Sequence, residues 1–150
     1  MPPKGHRLRR GRFSEPGRIY LVTFVTRRRT PLFRDLYLGR IIVNVMKGEQ
    51  CAAETLCYVI MPDHVHWLMQ LGETKSLSSV VQTIKSVSAH RIRHIGKITG
   101  NVWQRGFHDH AVRKEEDIRA LARYMVANPL RAGLVERIGD YPLWDAVWLT

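Results

Sequence analysis

Cysteine is scarce in this 150-residue chain, which has only Cys51 and Cys57. Their spacing lacks the close pairing of a zinc knuckle, and they read as free thiols of a reducing cytoplasm rather than as a disulfide framework. Long apolar runs are missing too. No stretch approaches the roughly 18 residues that a membrane-spanning helix needs. The basic N-terminus is not followed directly by the apolar segment of a signal peptide. Acidic residues are the third shortage: 13 Asp and Glu face 24 Lys and Arg, a net charge of +11.

What is present suits one folded domain over residues 1–150. Hydrophobic residues make up 45% of the chain, enough for a sizeable core. There is no internal repeat and no low-complexity linker. The charge is uneven. Residues 1–30 hold nine basic residues and one acid, Glu15, a net of +8, which leaves +3 for the other 120. Residues 1–17 therefore read as a basic arm on a nearly balanced globule. Such an arm points to a polyanion, most often nucleic acid. Arginine outnumbers lysine, as planar two-point contacts to phosphate favour.

Hydrophobic patterning places the elements. "RIYLVTFVTRR" (18–28) is rich in β-branched and aromatic residues and reads as a first strand, with Pro31 ending it. Asp35 is a candidate N-cap for a helix whose stripe is Leu38, Ile41, Ile42 and Val45. "ETLCYVIM" (54–61) and "HVHWLMQL" (64–71) are two strands joined by the turn at Pro62-Asp63. A second helix runs from about Ser76 to His94 with Leu77, Val80, Val81, Ile84 and Val87 inward. "GFHDHAVR" (106–113) reads as a fourth strand, and a third helix opens at the acidic "KEED" (114–117) and runs to Pro129. The order β-α-β-β-α-β then α predicts an α+β, ferredoxin-like or RRM-like fold: an antiparallel four-stranded sheet, two helices on one face and an additional C-terminal helix.

On a strand, residues two apart share a face. His64 and His66 therefore stand together while Val65 and Trp67 point the other way. If Val65 faces the helices, both imidazoles lie on the open face, where they can chelate one divalent metal or simply hydrogen-bond on a wet surface. A further donor would have to come from the third helix, whose stripe is Ile118, Leu121, Ala122 and Met125. Tyr124 and Asn128 share its edge. The tyrosine offers a phenolic nucleophile and the asparagine an amide oxygen. Read alone, they are equally a packing residue and a C-terminal cap before Pro129, and periodicity leaves both readings open.

Three motifs in this order, "YVIMPDHVHWLMQ", "GNVWQRGFHDHAVR" and "RYMVANPLRAGLV", resemble the single-tyrosine HUH transposases, and most closely the REP-associated tyrosine transposases. The resemblance runs from about residue 18 to 148. It implies a metal held by His64, His66 and Asn128, Mg²⁺ or Mn²⁺, with Tyr124 on the third helix as nucleophile and no organic cofactor. The implied reaction is cleavage and transfer of one DNA strand through a 5′-phosphotyrosine link. The DNA would be a hairpin with a single-stranded flank, bound by a monomer or a homodimer in a bacterial cytoplasm, at the nucleoid. Asp63 departs from the Asn that often precedes the first histidine in this family.

Arg7, Arg9, Arg10 and Arg12 of the arm, Arg27 and Arg28 after the first strand, and Arg131 are the expected phosphate contacts. Trp103, Gln104 and Arg105 mix aromatic and basic character suited to unpaired bases, with His110 as a further DNA contact. Two other readings compete. One is an RRM-like module that holds single-stranded nucleic acid without cutting it; the first strand lacks its paired aromatics. The other is a zinc hydrolase built on His64, His66, His108 and His110.

Overall fold

The computed structural model describes residues 14–149 apart from residue 115. A five-stranded sheet in the order β4-β1-β3-β2-β5 forms the centre. Its strands are β1 (Ile19–Val25), β2 (Ala53–Met61), β3 (His64–Leu71), β4 (His108–Ala111) and β5 (Trp144–Ala146), and every pairing is antiparallel. The first four strands have the predicted ferredoxin-like order. The fifth is a correction: "WDA" near the C-terminus pairs with the outer edge of β2 through Cys57, Tyr58 and Val59. Three residues with no alternation of character give no strand signal of their own.

Helices α1 (Leu36–Gly48) and α2 (Leu77–Gly96) pack on one face. Asp35 caps α1 by accepting from the Tyr37 amide at 2.9 Å, as its sequence position predicts, and Ser76 caps α2 by accepting from Ser79 at 3.1 Å. Tyr20, Val22, Phe24, Val65, Trp67 and Met69 face these helices and are buried with their stripes. The opposite face carries Leu68, Cys57, Val59 and Met61, covered by α3 (Ile118–Val126) through Ala122, Met125 and Val126. A bulge between Thr55 and Cys57 makes this possible. Thr55 still faces α2's side, bonded to the Trp67 indole at 2.9 Å, but the extra residue turns Cys57, Val59 and Met61 towards α3.

Two of the boundaries that differ from expectation bear on the site. β1 ends at Val25, short of the arginines, because buried Thr26 ties the chain down: its amide and hydroxyl both donate to the Asp63 carbonyl, at 2.9 and 3.1 Å. Arg27–Arg29 then form a 3₁₀ turn, with Arg28 and Arg29 in the left-handed region at φ 56° and 53°. Likewise Asn128 is not the cap of α3; Ala127 is. Asn128 opens a separate single turn, α4 (Asn128–Arg131), in which Pro129 sits where a helix start tolerates proline.

Candidate active site

The two histidines face α3's side of the sheet. His66 lies opposite Val59 on β2 and Thr23 on β1, and His64 opposite Met61 and Val25. Their ring centroids are 4.8 Å apart at 83°. Each ring is oriented through Nδ1. His64 Nδ1 meets Asp63 Oδ1 at 2.6 Å, and His66 Nδ1 meets Thr23 Oγ1 at 2.9 Å. A carboxylate partner makes His64 Nδ1 the donor, and a hydroxyl accepts as readily as it donates, so both rings can offer the Nε2 lone pair. Burial, then the His64 ring, then the Arg131 charge push the His66 pKa down to about 4, so this imidazole is neutral near pH 7.

Asp63 is itself held. Arg29 Nε lies 3.3 Å from Asp63 Oδ2, and the left-handed turn that carries Arg29 is tied to the β2–β3 turn by the Thr26 bonds and by the Phe33 amide on the Pro62 carbonyl at 2.9 Å. Arg29, Asp63 and His64 thus form a line from a strained turn to the imidazole. Strain of this kind costs roughly 1–3 kcal/mol per residue and survives only where the surroundings impose it.

α3 brings the tyrosine. Asp117 caps it by accepting from the Ala120 amide at 3.1 Å, and its apolar face buries against the sheet. Tyr124 lies off that face, 64% exposed, so it is not the packing residue that periodicity allowed. Arg131 reaches back from α4 and joins the pieces. Its Nη2 donates to the Tyr124 carbonyl at 2.7 Å and to Asn128 Oδ1 at 2.6 Å, while its guanidinium carbon lies 3.9 Å from the Tyr124 ring centroid. The same charge acts on His66, so the α3–α4 corner lies within electrostatic reach of the imidazoles.

These residues fit a divalent ion in donor chemistry. Two imidazoles held through Nδ1 by a carboxylate and a hydroxyl match the way metal-binding histidines are supported, and Asn128 adds a neutral oxygen. Among the described residues no group of three or more His, Cys, Asp or Glu side chains is placed to hold a metal. The four-histidine zinc site therefore does not assemble. Thr23 stands between His66 and His108 in the sheet, and His110 is engaged by Glu116 Oε1 at 2.9 Å.

The expected DNA contacts divide. Arg7, Arg9, Arg10 and Arg12 lie outside the described residues. Arg27, Arg28, Gln104, Arg105, His110 and Arg131 are exposed. Trp103 is a correction. It is buried in the main core, edge-on to Phe24 at 4.9 Å, with its indole donating to Ser88 Oγ at 3.1 Å, so it is not presented to a base. Basic neighbours made a core tryptophan look like a stacking platform. Thr23 and Arg29 were not singled out for the roles they have here; only the strand register and the turn bring them to the histidines. Arg18, Arg113 and Lys114 also line an open cleft of about 670 Å³ where β1 begins and β4 ends.

Comparisons with known proteins give the family and the fold. A family described as "Transposase IS200 like" matches residues 17–128. The chain is 27% identical over 133 residues to the REP-associated tyrosine transposase of Escherichia coli strain K12, covering 87% of this chain and 76% of that protein. It is 28% identical over 137 residues to a protein of the same type from Haemophilus influenzae, covering 84% and 78%. Among solved structures, a REP-associated tyrosine transposase bound to a REP hairpin superposes with a TM-score of 0.70 at 28% identity, covering 89% of this chain and 79% of that one.

Proposed function

This chain belongs to the IS200-like transposase family, and from that premise we propose that it cuts and rejoins one strand of DNA through Tyr124. The observation that carries the reading is the exposed Tyr124 joined by Arg131 to Asn128, on the sheet face that holds His64 and His66. A tyrosine with no role there would be expected to turn its ring into the apolar cluster beneath α3.

The substrate in this reading is DNA with a hairpin and a single-stranded flank. Its hairpin part is supported by the solved relative bound to a REP hairpin. A phosphodiester resists nucleophiles because its own oxygens are anionic. Mg²⁺ or Mn²⁺ bound by His64, His66 and Asn128 would neutralise a non-bridging oxygen and orient the scissile phosphate. Tyr124 Oη attacks phosphorus in line. The Oη–P bond forms as the P–O3′ bond breaks, the phenol gives up its proton, and the 3′ oxygen leaves as a hydroxyl. The downstream strand is then held as a 5′-phosphotyrosine ester. Because the ester keeps the phosphodiester's free energy, an incoming 3′-hydroxyl can reverse the step and join a new end without ATP. Arg27, Arg28, Arg105, Gln104, His110 and the arm's arginines would hold the strand by its phosphates, and the basic cleft beside Arg18 and Arg113 extends that path. The protein acts in this reading as a soluble bacterial enzyme; among the described residues no helix is long and apolar enough to cross a membrane.

The test is covalent trapping. Wild type and Tyr124→Phe are mixed with 5′- and 3′-labelled hairpin oligonucleotides, with Mn²⁺ or with EDTA, and run on denaturing gels. The expected result is a shifted protein band carrying the DNA 3′ of the cut, lost in Tyr124→Phe and in EDTA. Cutting that persists in Tyr124→Phe would assign the chemistry to activated water instead.

A further inference from the structure

Arg131 makes contacts that binding phosphate alone does not explain. Donating to a helix-end carbonyl is ordinary for a surface arginine; holding two further side chains of the proposed site is what sets this one apart. This one uses a single nitrogen to bond both the Tyr124 carbonyl and Asn128 Oδ1, at 2.7 and 2.6 Å, and places its guanidinium carbon 3.9 Å from the tyrosine ring centroid. Three interactions converge on one exposed side chain, although ordering an arginine costs up to about 2 kcal/mol of rotamer freedom. The oxygen it holds is the one that the proposed metal site would use, and the ring it covers is the proposed nucleophile.

We propose that Arg131 is the resting cation of this site: its guanidinium holds Asn128 Oδ1 and covers Tyr124 until substrate arrives, then passes to the scissile phosphate and leaves the amide oxygen to the divalent ion. The inference rests on the metal-and-tyrosine reading above and adds an order of events to it. A guanidinium and a divalent cation on one amide oxygen repel each other, and at such separations the repulsion weakens binding of the ion by about tenfold or more, even with generous screening. The anionic phosphate removes the conflict because it can accept both positive groups, the guanidinium through a two-point contact. The free protein then holds metal weakly, and DNA and metal each strengthen the binding of the other.

Mn²⁺ titration of the whole, DNA-free protein by calorimetry separates the cases. The variants are Arg131→Gln, which keeps N–H donors but no charge, and His64→Ala. The expected result is that Arg131→Gln binds Mn²⁺ about tenfold more tightly than wild type while binding the hairpin oligonucleotide less tightly. Affinity that falls in His64→Ala but is unchanged or weaker in Arg131→Gln overturns the proposal and leaves the metal reading standing. Affinity that ignores both changes overturns the two together. A second measurement needs no variant at Arg131. In wild type labelled at arginine nitrogens, the Arg131 Nε–H resonance, ring-shifted by Tyr124, is expected to move when Mg²⁺ and the oligonucleotide are both added. A resonance that stays in place under those conditions is incompatible with the exchange.

Discussion

A histidine is only as good a ligand as the group behind it, and in the proposed metal site the two have different supports. His64 leans on a carboxylate that is itself held by Arg29 at 3.3 Å, whereas His66 leans on a hydroxyl. Asp63→Ala should therefore weaken Mn²⁺ binding by about 10–100-fold, the usual effect of deleting such a partner, while Asp63→Asn, which still accepts from Nδ1, should recover much of it. Calorimetric titration of both variants checks this. His66 also sets a pH dependence. Its folded pKa lies near 4, below the 6.5 of the free ring. Between those values the unfolded chain binds the extra proton, so stability is full above about pH 6.5 and falls as pH drops towards 4. Melting temperatures of the metal-free protein across that range should follow this trend, and His66→Asn should flatten it.

At the scale of elements, period two alone placed His64 and His66 together, opposite Val65 and Trp67, but which side faced the helices stayed conditional, because Leu68 on the histidine side is buried too. The break between α3 and α4 was not readable that way. A 3.6-residue stripe runs smoothly into "NPLR", and proline fits the first turn of a new helix as well as it stops an old one. Arg131 thus lands where Tyr124 and Asn128 meet, which no spacing rule predicts. The fifth strand escaped for a related reason, though one sign of it was present. Gly39 sits inside α1, and a side chain there would strike Leu143 Cδ1. A glycine within a helical stripe marks a close approach, in this case by the segment before β5. Leu143 is 3% exposed, and its carbonyl accepts from the Ile60 amide at 2.9 Å. Leu143→Ala should cost about 2–4 kcal/mol, read from denaturant unfolding, with Mn²⁺ affinity unchanged.

For the whole molecule, the charge asymmetry has a measurable consequence. Residues 1–13 carry Lys4, Arg7, Arg9, Arg10 and Arg12. If these meet phosphates, removing the segment should lower the slope of log affinity against log salt by about 2–4, because each neutralised phosphate contributes about 0.7–0.9. Binding of the hairpin oligonucleotide over a range of NaCl concentrations checks this, and an unchanged slope would remove the arm from the interface. The chain order carries a further consequence, one about time. His64 and His66 leave the ribosome with their hairpin, while Tyr124 follows 60 positions later. At about 5–20 residues per second that gap is about 3–12 s. On the proposed reading, a nascent chain can hold its two histidines in a formed hairpin, but it has no nucleophile until α3 is made and docked on the sheet. In the proposed mechanism, a product that stops short of Tyr124 therefore cannot nick the chromosome beside which it is being translated.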